Sequence, residues 1–218
     1  MRASAAAGVL LIVAALSGGI SADPVPTLGA VPEAARSTDV GRAPTPARSR
    51  PAPPTTRRQA SPAAVDVTPS VLPPPQRLRV PALDVSARVV PVALTADGAM
   101  ELPDDVSEVG WFSPGPVPGQ SGSAVLAGHV DSREQGRGAL FDLPDLVPGD
   151  TVEVDAGEDG TTTWRVVGRA AYPKDTLPIA ELFRRDGPAR LVLITCGGEF
   201  DPATGHYDDN VVVVAEPA

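Results

Sequence analysis

The chain has 218 residues, with 27 acidic against 18 basic side chains, a formal net charge of −9, 26 prolines, two histidines and a single cysteine. An acidic balance of this size argues against nucleic acid as a partner, because phosphate binding calls for a basic surface. One cysteine excludes an intrachain disulfide, and no CxxC pair, HExxH stretch or glycine-rich phosphate loop is present to hold a metal or a nucleotide.

After Arg2 no charge appears until Asp23, and the interval is rich in Ala, Val, Leu and Ile. About 20 uncharged residues suit a short membrane anchor or a signal peptide over residues 1–22. Ile20-Ser21-Ala22 is a poor small-x-small cleavage pattern, which favours a retained anchor. With Arg2 on the cytoplasmic side, everything after it faces outward. Residues 23–75 read as a Pro/Ala-rich disordered linker that holds half of the 26 prolines and no aromatic residue. Such a segment buries too little apolar surface to offset its ordering entropy. Proline stiffens it toward polyproline II at ~3.1 Å per residue, a reach on the order of 100 Å.

Residues 76–218 have the size of one domain and carry all but four of the 27 acids. Their patterns are mostly β. Alternation or short apolar runs predict strands over 77–80, 87–92 and 123–127, and Asp97-Gly98 is a turn signal leading into a strand at 100–102. A hairpin joins 151–154 to 161–167, and two last strands run over 190–196 and 210–215. The second of these, with Val211-Val212-Val213-Val214, has the continuous apolar character of a strand buried on both faces. One short helix is expected near 178–184, with Pro178 in its first turn. Seven or eight short strands make the fold mainly β, a closed barrel or a sandwich.

Cys196 ends the run Leu191-Val192-Leu193-Ile194-Thr195-Cys196 and is followed by Gly197-Gly198. A lone thiol in an exported protein is an oxidation hazard with two rationales, burial as a small hydrophobe or use as a nucleophile. The histidines lie on either side of it in sequence, His129 in Gly128-His129-Val130-Asp131 and His206 in a loop ten residues downstream. Either is a candidate base. Asp201, Asp208, Asp209 and Asn210 offer oxygen ligands but lack an EF-hand spacing, so a solvated loop is the simpler reading. Trp111 and Trp164 are expected to pack in the core.

Taken together, Gly128-His129-Val130-Asp131, Leu193-Ile194-Thr195-Cys196-Gly197-Gly198 and Tyr207-Asp208-Asp209-Asn210-Val211-Val212-Val213 resemble the signature stretches of the sortases. The likeness is greatest to the actinobacterial class F type. It extends over the whole folded part, from Leu78-Arg79-Val80-Pro81 through Val109-Gly110-Trp111 and Gly138-Ala139-Leu140-Phe141. An anchor followed by a Pro-rich spacer also matches that family's layout.

The resemblance implies a closed eight-stranded sortase-type β-barrel with one or two short helices. It implies a cysteine transpeptidase that cuts a Leu-Pro-x-Thr-Gly-like signal between Thr and Gly and passes the acyl group to an amine of cell wall or protein. Cys196 would be the nucleophile and His129 the general acid/base, with Asp131 and Thr195 as supporting residues. No cofactor or metal is needed, because the thioester conserves acyl energy. The implied partners are secreted proteins with a C-terminal sorting signal, and the enzyme is expected as a monomer, either anchored on the extracellular face of the plasma membrane or secreted.

The chain departs from the family's pattern at one position. Where class F sortases have an arginine in a Tyr-Arg-Asp-Asn-like stretch, this sequence has Asp208. Loss of a preorganised donor to the oxyanion is typically worth a few kcal/mol. A carboxylate near Cys196 also opposes thiolate formation. Arg190 has the right strand parity but stands ~20 Å away along the strand, whereas Arg133 and Arg137 follow His129 in a loop that could swing toward the site. Besides the transpeptidase, a cysteine hydrolase and a non-catalytic binding domain inactivated by Asp208 remain as alternatives.

Overall fold

The alternating and apolar stretches of the domain become strands, and their hydrogen bonding closes a barrel. The computed structural model describes residues 26–32, 72–157 and 160–218. The expected anchor or signal at 1–22 lies outside these residues, as does most of the linker. Among the described residues no helix is long and apolar enough to cross a membrane.

In chain order the strands are β1 (Leu28–Gly29), β2 (Arg77–Val80), β3 (Val85–Val92), β4 (Val109–Phe112), β5 (Ser123–Gly128), β6 (Asp131–Ser132), β7 (Gly136–Arg137), β8 (Thr151–Asp155), β9 (Thr161–Pro173), β10 (Arg190–Asp201) and β11 (His206–Pro217). Eight of them pair in the order β9-β11-β10-β5-β4-β3-β2-β8, and β8 pairs back onto β9 to close the barrel. The expected closed eight-stranded barrel is therefore what the chain forms. Closure leaves few free strand edges, the usual liability of a β protein. Two neighbouring pairs are parallel, β3 with β4 and β5 with β10. β6 and β7 form a separate small hairpin.

Two apolar layers result from the period-two alternation of side chains. The interior holds Leu78, Trp111, Leu126, Trp164, Leu193, Val211 and Val213 among others. The outer layer holds Phe112, Tyr172, Leu177, Leu182, Ile194, Val212 and Val214. Val211–Val214 is thus buried on both faces, as its unbroken apolar run requires. The outer layer is covered partly by the connection from β9 to β10, which contains the single helical turn α1 (Ile179–Leu182) directly after Pro178.

Some expectations change in detail. The Asp97-Gly98 turn forms, with Gly98 at φ +87°, but Met100–Leu102 is not a strand; only Met100 bridges to Leu94. Met100 is fully buried, and two main-chain bonds flank its bridge, from the Thr95 N–H to the Ala99 carbonyl and from the Glu101 N–H to the Ala93 carbonyl. β4 escapes an alternation search because all four of its residues are buried. The folded unit begins before residue 76, since Leu72 packs on the interior cluster. Within the stretch read as linker, residues 26–32 are laid against the barrel, with Leu28 and Gly29 paired to Arg169 and Gly168.

Candidate active site

Cys196 sits on β10, which runs between β5 on one side and β11 on the other. The parallel register of β10 with β5 proceeds from Arg190↔Ser123 to Ile194↔Ala127. One step on, the fully buried Thr195 hydroxyl donates to the Gly128 carbonyl at 2.9 Å. Cys196 follows Thr195 on β10, and His129 follows Gly128 directly after the end of β5.

The loop after β5 is tightly built. His129 Nε2 donates to the Pro103 carbonyl at 2.9 Å, and the Leu140 N–H donates to the His129 carbonyl at 3.3 Å. A carbonyl accepts only, so Nε2 carries the proton and Nδ1 is the basic nitrogen of the neutral ring. Position 138 has to be glycine here, because a β-carbon would stand 2.2 Å from the His129 carbonyl oxygen. Asp131, two residues past His129, accepts from the Tyr207 hydroxyl at 2.9 Å. That contact ties the β6 end of the loop to β11. Burial first, and then Asp131, push the Tyr207 phenol up to about 12.

Across β10 on the other side, Cys196 pairs with Asn210, and Asn210 in turn pairs with Tyr172 of β9. The three residues form one row over the outer face. Asn210 is fully buried, and neither atom of its amide has a partner among the described residues. Cys196 is half-buried and packs against the outer apolar layer. Burial pushes its thiol up; the Lys174 charge works against that shift and the Asp131 charge adds to it.

Asp208 is exposed and lies two residues from Asn210 along β11, so alternation puts it on the face that carries Cys196. Its neighbour Asp209 is opposite Gly197, and burial and the adjacent Asp208 charge push that carboxyl up, with Lys174 opposing. Arg133 and Arg137 are both exposed. Arg137 is engaged locally, 3.8 Å from Asp142 and 4.1 Å over the Phe141 ring. Arg190 lies at the far end of β10, 3.6 Å from Glu216. His206 faces Asp201 at the tip of the β10–β11 hairpin, four residues beyond Asn210, or ~13 Å along the strand. Asp201 spends its carboxylate on the Ala203 N–H at 2.8 Å and the Thr204 hydroxyl at 3.1 Å, within its own turn.

The cation whose charge opposes the burial shift of the thiol is one the sequence patterns pass over. Lys174 begins the 3-10 turn Lys174–Thr176 directly after Pro173, and Pro173 pairs with Asp209. It is the only lysine in the chain. That singularity is the one signal that sequence offered, and only the β9–β11 register converts it into proximity.

Cys196 lies midway along β10 of the closed β-barrel, and His129 directly follows the neighbouring strand β5. Residues 78–218 match the family profile of the sortase domain, and the chain belongs to the sortase family. Sortases are cysteine transpeptidases that act on secreted proteins bearing sorting signals, at the cell envelope. No curated protein sequence matches the chain. Among solved structures, sortase C2 of Group B Streptococcus pilus island 1 is 19% identical, with a TM-score of 0.51 over 65% of this chain and 72% of that one. Sortase C1 from Streptococcus suis is 18% identical, with a TM-score of 0.51 over 67% and 74% respectively. A lid mutant of sortase A from Corynebacterium diphtheriae is 17% identical, with a TM-score of 0.50 over 67% and 70%. At these identities the likeness concerns the fold.

Proposed function

We propose that the chain is an envelope-anchored sortase of the class F type that cleaves a Leu-Pro-x-Thr-Gly-like signal and transfers its acyl part to an amine of cell wall or protein. The observation that supports this reading is the parallel β5–β10 register together with the Thr195 hydroxyl on the Gly128 carbonyl, each residue immediately preceding Cys196 or His129 in the chain. In the proposed reaction the Cys196 sulfur, as thiolate, attacks the Thr carbonyl. The tetrahedral adduct collapses as the C–N bond breaks, and His129 delivers a proton to the departing glycine amine. An incoming amine then attacks the thioester, loses a proton to His129, and releases Cys196. Lys174 supplies the positive charge that favours the thiolate, a role that Asp208 cannot fill.

Residues 1–22 serve in this proposal as the membrane anchor and the Pro-rich residues 33–71 as a spacer through the envelope. A fluorogenic Leu-Pro-x-Thr-Gly peptide with an added amine tests the reading. Cleavage, a thioester adduct on Cys196 by mass spectrometry, and ligated product are expected, and Cys196→Ala abolishes all three. Cleavage that survives Cys196→Ala would sink the proposal. A second reading, a sortase-like binding domain, draws on one observation: burial holds the thiol up while an acid stands at the usual arginine position. Peptide binding without any adduct on Cys196 would favour it.

A further inference from the structure

Asn210 is the cross-strand partner of Cys196 on one side and of Tyr172 on the other. Its side chain shares their face, on which Val212 and Val214 of the same strand join the outer apolar layer. The residue is fully buried, and neither Nδ2 nor Oδ1 has a hydrogen-bond partner among the described residues. Buried carboxamides without partners are rare in folded proteins, and each one calls for a reason.

Packing does not supply that reason. From Val211 to Ala215 the strand is wholly apolar and buried, and an apolar residue at 210 would continue it without an unpaired amide. The hydroxyls around the amide are committed elsewhere: Tyr172 donates to the Pro32 carbonyl, Tyr207 to Asp131 and Thr195 to the Gly128 carbonyl. Asp208, the next residue on the same face, is exposed. The group left opposite the amide is the Cys196 thiol. In a directly opposed pair the β-carbons stand about 5 Å apart. A carboxamide from one strand and a sulfur from the other close that gap to hydrogen-bonding range.

We propose that Asn210 is a catalytic residue whose Nδ2–H donates to the Cys196 sulfur when the sulfur is a thiolate. A neutral thiol is a weak acceptor, so the amide gains little from it before ionisation. The thiolate is a strong acceptor, and a donor that bonds the charged form favours that form. Burial holds the donor in place before the charge appears, so little reorganisation is needed when it does. Asn210 thereby joins Lys174 in opposing the burial that disfavours the thiolate. The inference rests on Cys196 as the nucleophile of the proposed reaction and is independent of the signal that the enzyme cuts.

The test follows Cys196 alkylation by iodoacetamide against pH in the full chain, with the thermal midpoint as a second readout. The midpoint of the pH profile reports ionisation of the thiol and its plateau reports access, which separates acidity from packing. Asn210→Leu removes the donor and fills the site with an apolar side chain. Its profile is expected to move up by about one pH unit, an about tenfold loss of thiolate on the rising limb. Its thermal midpoint is expected to stay or rise, because the unpaired amide is gone. The titratable groups on the elements around Cys196 are His129 after β5, Asp131 on β6, Tyr172 and Lys174 at the end of β9, and Tyr207, Asp208 and Asp209 on β11. The substitution changes none of them. Asn210→Ala and Asn210→Ser decide the matter should Asn210→Leu fail to fold, since they differ by one hydroxyl donor and the Ser profile is expected at lower pH. An unmoved profile in Asn210→Leu, or coincident Ala and Ser profiles, overturns the proposal. A lowered thermal midpoint with an unmoved profile assigns Asn210 a structural role instead. A shifted profile in a chain that cleaves no sorting peptide overturns the sorting-signal reading, while the thiolate donor stands.

Discussion

Asp208→Arg is the most direct probe of the site's chemistry. Asp208 is two residues along β11 from Asn210, the cross-strand partner of Cys196. Two residues along a strand and one strand across put the two α-carbons about 8 Å apart. At that distance in a water-like dielectric each unit charge contributes about 0.5 kcal/mol, so reversing the sign is worth about 1 kcal/mol. The low value is appropriate because Asp208 is exposed. A guanidinium that also donates to the developing oxyanion adds about 1 kcal/mol more. Together these predict a gain of roughly five- to thirtyfold in kcat/KM on a fluorogenic sorting peptide. Asp208→Asn, which removes charge without adding a donor, should recover only the smaller part. The rate of Cys196 alkylation by iodoacetamide at neutral pH rises in the same order, because a nearby cation increases the thiolate fraction. If Asp208→Arg is no faster than the parent in either assay, the electrostatic argument for this position is wrong.

Lys174 and Thr195 make two further tests. Burial raises the Cys196 thiol and Lys174 opposes it, so Lys174→Met should shift the alkylation profile to higher pH, and Lys174→Arg should return it; an unmoved profile in Lys174→Met would remove Lys174 from the site. Thr195→Val keeps the shape of the side chain but strips the buried Gly128 carbonyl of its donor. It should cost about 1–3 kcal/mol and lower the thermal midpoint by several degrees. Calorimetry reads the stability, and kcat falls with it because the bond that holds the β5 end beside β10 is gone.

How much of this was legible in sequence can be judged element by element. The Val211–Val214 run, the 151–167 hairpin, the Asp97-Gly98 turn and the helical turn after Pro178 are local matters of periodicity and turn chemistry. They appear where those patterns put them. β4 does not follow local pattern, since all four of its residues are buried, and the alternation at Met100–Leu102 yields one bridge rather than a strand. For the site, motif resemblance singled out Cys196 and His129, and with them Asp208. Lys174 and the pairing of Leu28 and Gly29 with β9 stayed hidden because neither has a local signature. A lone lysine beside a proline and a Pro-rich stretch both look like solvated chain.

What the amino-acid sequence determined by itself is therefore the inventory: a barrel's worth of short strands, one thiol in an apolar run, one acid where the resemblance leads one to expect an arginine. Tertiary structure decided the adjacencies. The parallel pairing of β5 with β10 sets the strand that precedes His129 beside the strand that carries Cys196, and the β9–β11 register places Lys174 one residue beyond Pro173, the partner of Asp209. The edge left open beyond Arg165 receives residues 28–32. The reason is physical. Side-chain period and turn propensity act over a few residues, whereas register between strands dozens of residues apart is set by barrel closure and burial of both apolar layers at once.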